Sequence, residues 1–95
     1  MPILFFRFAR ILNVAKKNDI QFLKEFGKQL KRLRKDKGLS QAQLAYEANI
    51  EISQVSRIER GLINTSILNA KLIATVLEIP ITKLFEFEIQ ISFKD

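Results

Sequence analysis

Residues 38–61 have the sequence GLSQAQLAYEANIEISQVSRIERG, and this stretch predicts two short helices separated by a tight turn. Ser40 begins the first of these helices, and Gln43 stands three residues later, which is the spacing of a capping box. Asn49 follows that helix at the turn, because asparagine tolerates a positive φ angle. The second helix then spans about Glu51–Arg60 and ends at a glycine.

A longer helix precedes this stretch and runs from about Asp19 to Lys37. Asn18 and Asp19 are suitable N-cap residues, and Gly38 is placed to close the helix in the left-handed conformation. Apolar residues recur along the helix at spacings of four, four and three, which forms one apolar stripe: Phe22, Phe26, Leu30 and Leu33.

Two further helical segments and a strand are predicted after residue 61. Ser66 caps a fourth helix whose inward positions are Ile67, Ala70, Ile73, Ala74 and Leu77. Pro80 opens a short fifth helical turn through residues 82–85. Apolar and polar residues then alternate to the C-terminus, which predicts a half-buried strand. A single strand leaves its backbone groups unpaired, so it needs either the same strand of a second chain or the apolar N-terminal segment as its partner.

The net charge of +6 is unevenly distributed along the chain. Residues 1–38 contain eleven Lys or Arg and three Asp or Glu, whereas residues 39–95 contain five and seven. This imbalance favours a polyanion such as DNA as a partner, although a solvated basic helix face produces the same balance. We expect most of the attraction to DNA to come from the first helix and the N-terminal region.

The composition excludes several classes of protein. The chain has no Cys and no His, which removes disulfides, thiolate metal sites and the commonest general base. No phosphate-binding loop or catalytic pair of carboxylates is evident either, so we expect no enzymatic activity, no metal and no cofactor. Residues 1–12 are apolar but contain two arginines and are too short to span a membrane. A chain without disulfides suits the cytoplasm.

The helix over Glu51–Arg60 has two distinct faces when its residues are placed at intervals of about 100°. One face is apolar, and the opposite face carries hydroxyl groups and positive charges: Ser53, Ser56, Arg57 and Arg60. That polar face fits a DNA major groove, because arginine can bond guanine bidentately and serine can bond several base edges. Glu59 falls toward the apolar side, where a carboxylate needs a partner, and we expect an ion pair with Arg34.

These features together resemble the phage Cro/repressor type of helix-turn-helix, also called the xenobiotic-response-element (XRE) type. The resemblance rests on Phe26-Gly27, Leu30, Leu33-Arg34, Gly38-Leu39-Ser40-Gln41, Leu44-Ala45, Ser53, Val55 to Gly61, Ser66-Ile67, Ile73-Ala74, Leu77 and Leu84-Phe85. It covers residues 21–85 and implies an all-α, five-helix, lambda-repressor-like DNA-binding bundle, to which we add the C-terminal β-strand extension. It also implies a sequence-specific transcriptional regulator of double-stranded DNA, which acts as a repressor by occlusion or as a controller that touches polymerase. Because the terminal strand needs a partner, we expect a homodimeric repressor on a palindromic operator.

The resemblance further implies roles for individual residues. Base contacts would come from Ile52, Ser53 and Arg57. Phosphate contacts would come from Gln41, Ser56, Arg60, Asn64, Thr65 and Ser66. Ile52 is apolar where the family usually has a polar side chain, so it either meets a thymine methyl group or lies at the edge of the core.

We divide the chain into an N-terminal extension (residues 1–17), a helix-turn-helix domain (18–86) and a C-terminal strand (87–95). The apolar residues of that strand form the predicted dimer interface: Phe87, Ile89, Ile91 and Phe93. No site for a small-molecule effector is evident. Two alternatives remain: a protein-interaction module on the same fold, such as an antitoxin or co-regulator, and membrane-surface binding by residues 5–17.

Overall fold

A computed structural model of the chain describes residues 2–89, with side chains described from residue 16 onward. Four α-helices and one 3-10 helix follow each other along these residues: α1 (Pro2–Asp36), α2 (Gln41–Ala48), α3 (Ile52–Glu59), α4 (Ile67–Leu77) and the 3-10 helix (Ile81–Phe85). The all-α fold is confirmed, but the count of five α-helices is wrong, because the last segment forms only a short 3-10 helix.

The C-terminal strand is not present in the described part of the tail. Residues 86–89 have no regular secondary structure. The backbone N–H of Phe87 donates to the carbonyl of Phe85 at 2.9 Å, and the Phe87 ring packs edge-on against Phe22 at 5.3 Å between ring centroids. Among the described residues of the tail, Phe87 therefore packs on α1 and takes part in no strand. Ile91 and Phe93 lie outside the described residues.

Helix α1 is longer than the sequence predicts, because it begins at Pro2 instead of Asp19. Asn18 and Asp19 lie inside the helix and do not cap it, so the predicted boundary between residues 17 and 18 falls within α1. Pro2 is acceptable at the first helical position, where its missing N–H leaves no bond unmade. A helix of 35 residues is about 52 Å long at 1.5 Å per residue, which accounts for the 53 Å long dimension of the molecule.

The hydrophobic core lies where all five helical segments meet. Its buried members are Phe26, Leu30, Leu33, Leu44, Ala45, Val55, Ile58, Ala70, Ile73, Ala74, Leu77 and Leu84. The predicted stripe on α1 is confirmed from Phe26 to Leu33, whereas Phe22 is only partly covered. The prediction that Ile67 points inward is wrong, since Ile67 is 83% exposed. It stands at the start of α4, at the margin of the face that Ala70 and Ile73 bury.

The predicted caps and turns fix the ends of the short helices. The Ser40 hydroxyl accepts from the Gln43 N–H at 3.0 Å, and the Gln43 side chain accepts from the Ser40 N–H at 2.8 Å, which completes the capping box. Asn49 adopts a φ of 57°, as the turn requires. Glu78 ends α4 with a φ of 58°, a left-handed conformation that usually favours glycine.

A glycine lets α1 and α3 approach each other closely. A Cβ atom on Gly27 would lie 2.3 Å from the carbonyl oxygen of Ile58 and 2.5 Å from that of Glu59. Only glycine fits this crossing without moving a backbone, so Gly27 sets how closely the end of α3 packs on α1.

Among the residues that the structure describes, no helix combines the length and apolar character needed to cross a membrane.

Candidate nucleic-acid interface

A buried ion pair anchors α3 to α1. Arg34 Nε donates to Glu59 Oε2 at 2.6 Å, and Arg34 Nη2 donates to Glu59 Oε1 at 3.0 Å. Only 6% of Arg34 and 7% of Glu59 are exposed, so this two-point pair is well shielded from water. The hydrogen bonds that Arg34 donates to the Glu59 carboxylate raise the pKa of the Arg34 guanidinium. The structure thus contains the pair that the sequence predicts.

The same ion pair also holds the start of α2. Arg34 Nη1 donates to the carbonyl of Leu39 at 2.8 Å, which fixes the loop between α1 and α2. The half-buried Gln41, at the first position of α2, donates from Nε2 to Glu59 Oε1 at 3.0 Å. One carboxylate on α3 therefore receives bonds from α1 and from α2, and these bonds tie both helices to α3.

The opposite face of α3 is open to solvent. Ser53, Arg57 and Arg60 are exposed, and Ser56 is half-buried. Ile52 is 50% exposed, which places it on the surface instead of in the core. The Arg60 side chain folds back along its own helix, with Nε donating to the Ser56 carbonyl at 3.3 Å. Glu59, the one carboxylate within α3, lies on the buried side, so the open face combines hydroxyl and guanidinium groups with no negative charge from the helix itself.

The loop before α4 lies beside this face. The Ser66 hydroxyl accepts from the Asn69 N–H at 3.0 Å and so caps α4. Asn69 Nδ2 donates to Gln54 Oε1 at 3.3 Å, which joins the start of α4 to α3. Asn64 is exposed, whereas Thr65 Oγ1 is buried and makes no hydrogen bond within the described chain. Any phosphate contact by Thr65 would therefore come from its backbone N–H.

The basic residues of α1 are spread along the helix, at different distances from α3. Lys31 and Lys35 are exposed in the last turns of α1, next to the loop that leads to α2. Arg10 lies 26 residues before Asp36, about 39 Å along the helix. That separation is several Debye lengths at physiological salt. For phosphates near α3, we therefore expect attraction only from the basic residues in the C-terminal turns of α1.

Sequence reasoning missed two polar contacts that position the interface. The Gln54–Asn69 bond is not predicted, because it joins two uncharged side chains that lie 15 residues apart. Buried Gln29 donates to the Lys83 carbonyl at 2.9 Å and ties α1 to the 3-10 helix. An interior glutamine at a helical position carries no sequence signal of such a partner. Within the described residues, no cluster of three or more potential ligand side chains is placed to hold a metal ion.

Comparisons with known proteins agree with this geometry. The Helix-turn-helix family model HTH_3 matches residues 30–84, which is more than half of the chain. The crystal structure of the restriction-modification controller protein C.AhdI from Aeromonas hydrophila is 43% identical and superposes with a TM-score of 0.66, covering 66% of this chain and 96% of that one.

Two curated proteins are also similar to the chain. Control protein C.MunI of Mycoplasma sp is 39% identical over 69 residues, which are 72% of this chain and 90% of that protein. The HTH-type transcriptional regulator SlrR of Bacillus subtilis is 40% identical over 63 residues, which are 65% of this chain but only 41% of SlrR. The chain therefore belongs to the helix-turn-helix family of the XRE type, whose members are non-enzymatic DNA-binding regulators.

Proposed function

We propose that this chain is a sequence-specific regulator that binds double-stranded DNA and reads it with α3 in the major groove. The observation that carries the proposal is the two-sided character of α3. Its inner side is locked by the Arg34–Glu59 pair, and its outer side presents Ser53 and Arg57 to solvent. A rigid helix with exposed, cationic and hydroxyl-bearing residues suits base recognition, because each hydrogen bond then forms without reordering the backbone.

The proposed contacts divide into two classes. Base contacts come from Ile52, Ser53 and Arg57, where Ile52 offers a methyl-bearing surface to thymine. Phosphate contacts, which position the protein but do not read sequence, come from Gln41, Ser56, Arg60 and the loop residues Asn64, Thr65 and Ser66. The loop stands at the N-terminus of α4, where unpaired backbone N–H groups favour an anion. Gln41 can donate one amide hydrogen to Glu59 and keep the other for a phosphate.

We also infer that the protein acts as a homodimer on a palindromic operator and represses by covering promoter DNA. Symmetric dimers bind two half-sites spaced about one helical turn apart. Of the predicted interface residues, Phe87 packs on Phe22 within its own chain, and Ile91 and Phe93 lie outside the described residues. Helix α4 offers a better surface, because three large apolar side chains are exposed on it: Ile67, Leu68 and Leu72, at 83%, 69% and 41%.

The dimer surface is tested by sedimentation of charged variants. Leu68→Lys combined with Leu72→Lys should convert a wild-type dimer into a monomer and lower operator affinity. Ala42→Lys is the control for sedimentation, because Ala42 is exposed on a different helix, α2, whereas Thr75 shares the face of Leu68 and Leu72. A double variant that remains as dimeric as wild type would remove α4 from the interface.

The regulatory function is tested by selecting ligands from a random pool of double-stranded DNA. We expect an enriched palindrome whose half-sites lie about 10 base pairs apart, and two chains on each duplex. Because C.AhdI is named as a restriction-modification controller, promoters of restriction-modification genes are suitable natural DNA to include. Affinity should fall steeply with salt, since each neutralised phosphate contributes to the slope. Failure to enrich any sequence, with a flat salt response, would favour the protein-interaction alternative.

A further inference from the structure

The apolar face of α1 continues beyond the part of the helix that the bundle buries. Among the described side chains of α1, the first buried one is Phe26, and all positions from 16 to 25 are exposed or half-buried. The backbone remains helical back to Pro2. The helical repeat places a further set of apolar residues on the face of Phe22 and Phe26: Leu4, Phe8, Ile11 and Ala15. None of these four residues belongs to the region matched by the family model, residues 30–84.

The C-terminal segment leaves the bundle along this same face. The Phe85 ring lies 5.1 Å from that of Phe26 and 6.4 Å from that of Phe22, measured between centroids. Two residues later, Phe87 lies 5.3 Å from Phe22. The chain has therefore moved one helical turn toward the N-terminus of α1. Its direction is opposite to that of the helix.

The remaining residues have the length to follow the rest of that face. An extended chain advances about 3.3 Å per residue, so the six residues from Phe87 to Phe93 span about 20 Å. The same distance along α1 corresponds to about thirteen residues and ends near residue 9. Ile89, Ile91 and Phe93 recur every second residue, so one side of an extended segment would present all of them to α1.

The charges of the two segments are complementary. Residues 2–18 contain four positive side chains and no carboxylate: Arg7, Arg10, Lys16 and Lys17. Residues 86–95 contain three carboxylates and one lysine: Glu86, Glu88, Asp95 and Lys94. Two copies of the N-terminal segment would repel each other, whereas the C-terminal segment would be attracted to it.

We propose that residues 88–95 lie along the apolar face of the N-terminal half of α1 in the same chain, antiparallel to the helix. The two segments that flank the family domain then form one accessory unit, in which each covers the apolar surface of the other. This unit stands about 30 Å or more along α1 from the start of α2. The proposal is independent of DNA binding.

Engineered disulfides test the position of the segment directly, because the natural chain contains no cysteine. Ile91→Cys is combined in the full chain with Ile11→Cys, Ala15→Cys or Asn13→Cys. An extended chain that starts at Phe87 beside Phe22 brings residue 91 level with residue 13 along the axis of α1. Ile11 and Ala15 lie on the apolar face, one on each side of that level, whereas Asn13 lies on the opposite face of the helix. We expect an intramolecular disulfide with Ile11 or Ala15 to form at least about ten times faster than with Asn13, because bridging requires Cα atoms within about 7 Å.

Equal rates for the three pairs would overturn the proposal, and so would a disulfide that links two chains. Amide hydrogen exchange provides a second measurement that does not depend on cysteine. In the combined variant Ile91→Asp and Phe93→Asp, protection of the amides of residues 4–15 should fall at least about tenfold, while Leu30 and Leu44 keep theirs. Ser92→Asp is the control and should leave protection unchanged. Unchanged protection in the double variant would contradict the proposal.

Discussion

The guanidinium of Arg34 and the carboxylate of Glu59 form a two-point ion pair between α1 and α3, with N–O distances of 2.6 and 3.0 Å. Because both groups are more than nine-tenths buried, each depends on the other for the hydrogen bonds it gave up in water. Gln41 and the Leu39 carbonyl complete the network. The orientation of α3 therefore rests on a polar network inside the bundle as much as on apolar contacts.

Removing the buried carboxylate of Glu59 should lower the free energy of unfolding far more than removing an exposed carboxylate. Glu59→Gln leaves the buried guanidinium of Arg34 without its counter-charge, and we expect a loss of about 3–5 kcal/mol in the free energy of unfolding. Urea denaturation measures this directly. Glu25→Gln is the matched control, because Glu25 pairs with Lys28 at 3.3 Å near the surface, and we expect a change of no more than about 0.5 kcal/mol. Similar losses in both variants would show that the pair is not structural.

Adding one methyl group at the crossing of α1 and α3 should destabilise the fold. Alanine is the better helix former by about 1 kcal/mol, but a Cβ on Gly27 would lie 2.3 Å from the Ile58 carbonyl oxygen. The steric term is larger because backbone atoms must move, and we expect Gly27→Ala to lose about 2 kcal/mol or more. Lys28→Ala, at the exposed neighbouring position, should change stability by less than about 0.5 kcal/mol. An increase in melting temperature for Gly27→Ala would contradict this packing.

The end of α4 is strained in a way that glycine should relieve. Glu78 has a φ of 58°, and a left-handed residue with a Cβ costs about 1–2 kcal/mol. Both Glu78→Gly and Glu78→Ala lose the exposed contact with Lys37 at 3.1 Å, so their difference isolates the backbone. We expect the glycine variant to be more stable than the alanine variant by about 1 kcal/mol in urea denaturation. Equal stabilities would mean that the turn carries no such strain.

Several features of the interface could be predicted because they depend on local chemistry. The Ser40 capping box, the Asn49 turn and the limits of α3 follow from residues within one or two helical turns of each other. The partner of Glu59 could be predicted because the family resemblance pairs it with a single arginine. The caps, the turn and the ion pair could therefore be predicted from the sequence.

Other features depend on contacts that a linear pattern does not encode. Asn18 and Asp19 resemble a helix start, yet the helix passes through them, since the residues before them also favour helix. The alternation after Phe85 is typical of a strand, but residues 86–89 form none, and the ring of Phe87 packs on Phe22. Ile67 has helical spacing with the core of α4 and still remains exposed. Of these three features, only the packing of Phe87 depends on a contact with a different segment of the chain.

Base reading by α3 depends on Arg57, and it is tested by the affinity of Arg57→Ala for the selected operator and for an unrelated duplex of equal length. A bidentate contact to guanine contributes about 1–3 kcal/mol of discrimination, so operator affinity should fall about 5- to 150-fold while affinity for the unrelated duplex changes little. Arg60→Ala, which removes a proposed phosphate contact, should weaken both complexes by similar factors. If Arg57→Ala leaves operator affinity unchanged, or weakens both complexes equally, α3 does not read sequence through this residue.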